Sequence, residues 1–208
     1  MTTPSPAFSP AAERNRRPIL EVLQRVLPAQ GHALEIASGT GQHVTWFAQH
    51  LPQWTWQPTD THADALRSIA AYVALSRLDN VRPARLLDVL NQPWLEDTGT
   101  VPQQFDAIYC ANMLHISPWA TCAALMQGSA LHLAPGGLLI TYGPYLEDDV
   151  PTSQGNRDFD LSLRAQNPAW GLRRREDVES QAAQVGLHLL QRFAMPANNL
   201  LLVWRCRH

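Results

Sequence analysis

The 208-residue chain is poor in charge. Asp, Glu, Lys and Arg together make up 16% of it, the net charge is −2, and no basic run occurs. Phosphate recognition needs clustered cations, so no nucleic-acid partner is expected. Cysteine is scarce as well. Cys110, Cys122 and Cys206 are odd in number and irregular in spacing. They suggest neither a disulfide framework nor a zinc site, and the reading is a reduced, cytoplasmic protein. No apolar run approaches the length of a membrane span, and the N-terminus lacks a basic-then-apolar leader, so no membrane partner is expected. His50, His62 and His132 are scattered without ligand spacing, so no metal is expected. No internal repeat or second domain is visible.

What is present is ordinary core material, 45% hydrophobic, with seven tryptophans. Packing accounts for that many Trp; an aromatic-walled pocket is the alternative. Residues 1–12 carry Pro4, Pro6 and Pro10 among small polar residues and read as a flexible lead-in to a single domain over residues 13–208. Pro18 suits the first turn of a helix, followed by Ile19, Val22, Leu23, Val26 and Leu27 at helical spacing. After that, apolar strands alternate with amphipathic helices. Strands are expected at 33–37, 54–60, 81–88, 105–110 and 138–142, with helices at 42–51, 63–75 and 118–131. Residues 91–104 read as a polar loop, and Pro135-Gly136-Gly137 as a turn. The polar stretch 143–168 is long for a connection and reads as a functional insertion. A helix at 176–185 and two hairpin strands, 187–193 and 200–205, close the chain. The expected fold is a Rossmann-like, doubly wound α/β sheet of seven strands. Helices cover both faces, and the last strand is antiparallel.

The chain is organised around Ala33-Leu34-Glu35-Ile36-Ala37-Ser38-Gly39-Thr40-Gly41-Gln42-His43. A short apolar strand meets an acid, then a Gly-x-Gly turn, then a helix. Glycines let backbone approach a ligand, and the free N–H groups of the helix start point at it. Two cofactor classes compete for such a turn. A dinucleotide wants a third glycine and an acid about 20 residues on. Asp60 lies at the right distance, but Val44 stands at the third glycine position. Glu35, directly before the turn, is unfavourable to a pyrophosphate and suits a cationic amino group.

Glu35-x-Ala37-x-Gly39-x-Gly41 resembles the first motif of class I S-adenosylmethionine (SAM)-dependent methyltransferases, with Ala37 in place of the first glycine. The resemblance extends over most of residues 32–205. It implies that Glu35, Ala37, Ser38, Gly39 and Gly41 surround SAM. It also implies that Asp60 holds the ribose hydroxyls and that Asp88, followed by Val89, lies by the adenine amine. A narrower resemblance, to the little-characterised methyltransferase-like protein 26 family, rests on several segments. These are Glu13-Arg14-Asn15 with Pro18-Ile19-Leu20, the stretch from Leu34 to His43, Trp56-Gln57-Pro58-Thr59-Asp60, Tyr142-Gly143-Pro144-Tyr145, Asn167-Pro168-Ala169-Trp170-Gly171 and Met195-Pro196-Ala197-Asn198-Asn199. It implies methyl transfer and names no substrate.

Asn112 and His115 follow the fourth strand, at the ligand-facing end of such a sheet. His115 has the chemistry of a base for a hydroxyl or ammonium acceptor; the alternative is a histidine hydrogen-bonded in the cofactor wall. Asn112 contacts the cofactor or orients the acceptor, and Met113 packs beside the cofactor. Arg14 suits the methionyl carboxylate, or else belongs to a solvated basic patch. Asn15, His43, Tyr142, Tyr145, Phe159, Trp170 and Asn199 are acceptor-pocket candidates; packing or capping is the alternative for each. The function read here is SAM-dependent methyl transfer to O, N or S of a small molecule. A protein or peptide methyltransferase, a non-catalytic SAM-binding protein and an NAD-linked oxidoreductase stand as alternatives.

Overall fold

The computed structural model describes residues 6–95 and 104–206. Seven strands form one sheet: β1 (Gly31–Ile36), β2 (Trp54–Asp60), β3 (Arg85–Leu86), β4 (Phe105–Ala111), β5 (Leu133–Gly143), β8 (Leu187–Met195) and β9 (Asn199–Cys206). Their order is β3-β2-β1-β4-β5-β9-β8, and a separate two-stranded ribbon pairs β6 (Tyr145–Leu146) with β7 (Arg173–Arg174). Pairings through β5 are parallel, and β9 runs antiparallel to both its neighbours. The order reverses between β1 and β4, which is the switch point where open α/β sheets bind ligands.

Strand alternation divides β1 between two cores. Leu34 and Ile36 join Leu125 and Met126 of α4 (Ala120–His132) and Val178 and Ala182 of α6 (Arg175–Ala183). Ala33 faces the opposite layer, with Ile19 and Leu23 of α1 (Pro10–Val26), Val44 and Phe47 of α2 (Gln42–His50) and Ile69 of α3 (Ala63–Ser76). Trp54, Trp56 and Trp204 are fully buried core residues, so packing accounts for them.

The structure departs from the sequence reading at four places. First, α1 starts at Pro10, capped by Ser9, whose hydroxyl accepts from Ala12 N, and Pro18 lies in its interior. Of the lead-in, residues 1–5 lie outside the described residues, while Ala7 and Ser9 are hydrogen-bonded to Ser68 and Gln42. Second, the third strand shrinks to Arg85–Leu86, with one bridge from Val81 to Trp56. Pro83 between them has no N–H to donate to a ladder. Third, Pro135-Gly136-Gly137 lies within β5, where the register against β4 shifts. Fourth, the polar stretch 143–168 contains β6 and a 13-residue helix, α5 (Gln154–Gln166), capped by Ser153. Its low apolar content hid it, since only Asn156 and Leu163 are buried. Of the polar loop 91–104, residues 96–103 lie outside the described residues.

Candidate functional site

The turn after β1 is built from left-handed backbone. Ala37, Gly39 and Gly41 have φ of 55°, 57° and 92°. Alanine pays about 1 kcal/mol or more for this conformation, glycine nothing comparable. Gly41 is constrained twice, because a Cβ there would fall 2.8 Å from the Ile69 Cα. Ser38 stitches the turn to β2: its N–H donates to Thr59 O at 2.8 Å, and its Oγ accepts from Thr59 N at 3.1 Å. Gly39 N–H donates to Asp60 Oδ2 at 2.9 Å. Gln42, which the sequence reading passed over, ties the N-terminal segment to this turn. Its Oε1 accepts from Ser9 N and Thr40 Oγ1, and its Nε2 donates to Glu13.

Beside the turn is a cavity of about 280 Å³. Six expected cofactor residues line it: Ala37, Gly39, Asp60, Asp88, Val89 and Met113. Ile36, Leu87, Ala111, Ile116, Ser117 and Thr121 add to walls that are mostly apolar, and Thr61 and His62 stand on the same lining. Asp60 Oδ1 accepts from His62 N at 3.1 Å and meets His62 Nδ1 at 3.3 Å, while Oδ2 carries only the Gly39 N–H and keeps a lone pair. Asp88 Oδ1 accepts from Leu90 N at 3.0 Å. Ser38 is buried within the turn, Gly41 packs behind it, and neither lines the cavity.

Glu35 points to the other face of β1, opposite Tyr109 in register, and does not line this cavity. It is 2% exposed, and its Oε2 has no hydrogen-bond partner. Burial, reinforced by the negative charge of Asp60, pushes its carboxyl up to about 8. On this face the structure gathers a polar network. His43 Nε2 meets Asn15 Oδ1 at 2.6 Å, and Tyr109 OH meets His43 Nδ1 at 3.5 Å. Burial lowers His43 to about 4, so the ring is neutral at pH 7. The tautomer that satisfies both contacts donates from Nε2 and accepts at Nδ1. Asn15 stands beside Tyr142, whose hydroxyl accepts from Asn199 Nδ2 at 3.1 Å. Exposed Arg14 adds positive potential beside Tyr142. Tyr109 was missed in the sequence, although its β4 position pairs with Glu35.

After β4, Asn112 adopts φ 62° and donates its N–H to Tyr142 O at 2.8 Å. His115 is 5% exposed and meets Phe159 of α5 edge-on, with ring centroids 5.6 Å apart. Burial, aided by Arg173, lowers it to about 4. That value departs from the near-neutral titration expected of His115, and a base so weak accepts a proton poorly at pH 7. Two acceptor-pocket candidates fall elsewhere. Tyr145 is packed in the core with its hydroxyl donated to Thr141 Oγ1 at 2.9 Å, and half-buried Trp170 joins neither the cavity lining nor the network.

The fold has solved counterparts. An O-methyltransferase family protein from Burkholderia thailandensis superposes with a TM-score of 0.77 at 18% identity, over 94% of this chain and 57% of its own. An O-methyltransferase family 2 protein from Planctomyces limnophilus, in complex with apigenin, gives 0.74 at 19% identity, over 92% and 62%. Human N-acetylserotonin methyltransferase, in complex with SAM, gives 0.76 at 16%, over 95% and 53%. The chain therefore shares the methyltransferase-like fold and spans little more than half the length of these proteins. A family model described as "Protein of unknown function (DUF938)" matches residues 6–206, and the chain belongs to that family.

Proposed function

We propose that the chain is a class I SAM-dependent methyltransferase acting on a small-molecule acceptor in the cytoplasm. One observation carries the reading. The turn at Ala37–Gly39 and the acids Asp60 and Asp88 come together on a single cavity with largely apolar walls. Such a cavity suits a nucleoside, whose base is planar and apolar on its faces and whose ribose needs acceptors at one edge. The residues present fit SAM further. The free lone pair of Asp60 Oδ2 suits the ribose hydroxyls, and a ligand reaching past the turn to the other face of β1 would meet the unpartnered, buried Oε2 of Glu35, which suits a cationic amine. Arg14 suits the methionyl carboxylate. The resemblance of the whole chain to the methyltransferase-like protein 26 family, and the fold shared with proteins that bear methyltransferase names, support the same reading.

When bound, SAM supplies an electrophilic methyl group. The protein's part is alignment of the acceptor lone pair with it. Asn112 and the Asn15–Tyr142–Asn199 group supply hydrogen bonds that orient an acceptor. His115, neutral and shielded by Phe159, acts as a hydrogen-bond acceptor and as a base only for an acidic acceptor. The acceptor candidates are buried or half-buried, apart from Phe159 and exposed Arg14 beside them, which supports a small molecule over a protein chain. The test is incubation with methyl-labelled SAM and a small-molecule extract, followed by separation by mass. Label in the low-mass fraction supports the reading, and label in protein favours the peptide alternative. Failure to bind S-adenosylhomocysteine would overturn both.

A further inference from the structure

A second cavity, of about 360 Å³, lies behind the loop that follows β4. Its apolar walls are Trp119, Leu146 and Leu172, and its polar wall carries Arg164, Arg173 and Arg174, with Asp177. The charges there are unevenly matched. Arg174 pairs with Asp148 and Asp177, and Arg164 pairs with Asp160. Arg173 has no ion pair among the described residues. Its Nε donates to Leu114 O at 2.9 Å, and its Nη2 to Ser117 O at 2.6 Å and Ala169 O at 2.8 Å. Its guanidinium carbon stands 5.5 Å from the Trp119 ring centroid. Carbonyl dipoles satisfy its donors without cancelling its charge, and Nη1 takes part in none of these bonds. A guanidinium held rigid in this way, with an apolar wall beside it, is preorganised for an anion. The volume is that of a small organic ligand.

We propose that this cavity is a second ligand site, for a small organic carboxylate whose charge meets Arg173 and whose apolar body lies against Trp119, Leu146 and Leu172. The site is independent of the methyl-transfer reading. It shares a wall with the first cavity: Arg173 holds the carbonyls of Leu114 and Ser117, while Met113, Ile116 and Ser117 line the other side. A carboxylate bound there sits on the back of the loop that carries His115.

The test is calorimetric titration of the full chain with benzoate and with benzamide, its uncharged counterpart, at matched ionic strength. Benzoate should bind saturably and about tenfold more tightly than benzamide. Trp119→Ala removes an apolar wall and leaves the Arg173 carbonyl bonds in place; it should weaken benzoate about fivefold or more. Arg164→Gln lowers the local positive potential and should weaken benzoate several-fold while benzamide is unaffected. Equal binding of the two probes, or benzoate binding unchanged in Trp119→Ala, would overturn the proposal. Arg173→Lys, checked for folding by circular dichroism, keeps the charge but loses the fork. It should retain weakened benzoate binding, and full affinity would contradict the role given to the guanidinium.

Discussion

Gly39 donates its backbone N–H to the carboxylate of Asp60 at 2.9 Å, so the turn after β1 and the acid at the end of β2 are one structural piece. Asp60 therefore shapes the turn as well as facing the cavity. Asp60→Ala should lower S-adenosylhomocysteine affinity by at least tenfold, because hydrogen bonds to a charged group contribute about 1.5–3 kcal/mol. Asp60→Asn keeps an acceptor for Gly39 and should lose less. Calorimetry that finds the wild-type Kd in Asp60→Ala would remove the ribose assignment.

Glu35 makes stability depend on pH. Its folded pKa of about 8 lies above the ordinary 4.5, so between those values the native state binds a proton that the unfolded state lacks. Native stability should then fall as pH rises through this window, by up to about 1.4 kcal/mol per pH unit. Urea melts from pH 6.5 to 8, above the range in which His43 and His115 act with the opposite sign, should show this slope, and Glu35→Gln should flatten it. Binding of an amine-bearing ligand at pH 7 should release a proton from Glu35. The heat of SAM binding should then vary with the ionisation enthalpy of the buffer, and no variation would count against the amine contact.

His115 is buried and neutral. Its Cε1 proton resonance should titrate with a midpoint well below 6, in line with the lowering to about 4. For His43, shifted the same way, the sign is opposite to that of Glu35. The unfolded state takes up a proton that the folded ring refuses between about 4 and 6.5, so acid destabilises the fold across that range. A midpoint near 6.5 for His115 would place it in water and contradict the Phe159 contact.

The two turn glycines should respond differently to alanine. Gly39→Ala meets nothing within 4 Å and carries only the left-handed backbone penalty, about 1–2 kcal/mol. Gly41→Ala adds a clash with the α3 backbone at Ile69 and should lose several kcal/mol in a denaturant melt. Equal losses would mean that α3 moves freely away from the turn.

One of the contacts that hold the insertion is a buried amide. Asn156 Nδ2 donates to Asn198 O at 2.9 Å and to Asn198 Oδ1 at 3.1 Å, and Asn198 itself sits at φ 55°. Asn156→Ala should destabilise by about 1–3 kcal/mol and raise hydrogen exchange in α5 more than in β4 or β5. A uniform rise across the sheet would show that α5 opens only with the whole fold.

Local pattern carried much of this protein. Short apolar runs announced the parallel strands, and Gly39 and Gly41 announced the turn between β1 and α2. Asp60 and Asp88 stood at strand ends because the ends of parallel strands face one crevice. The helix α5 was not legible, since its stability comes from capping by Ser153 and the Asn156–Asn198 bonds rather than from an apolar stripe. The short β3 reflects Pro83 inside the segment expected as a strand.

By itself the sequence determined the alternation of strands and helices, the turn after β1 and six of the residues that line one cavity, because these depend on period and on neighbours along the chain. Only the tertiary structure decided that Glu35 and Ile36 look to opposite faces. It joined Asn15, His43, Tyr142 and Asn199, far apart in the chain, into one network, and it buried His115 beneath Phe159. The reason is physical. Which groups share hydrogen bonds, and which lose water, depends on packing between segments distant in sequence, and desolvation sets the charge of Glu35, His43 and His115.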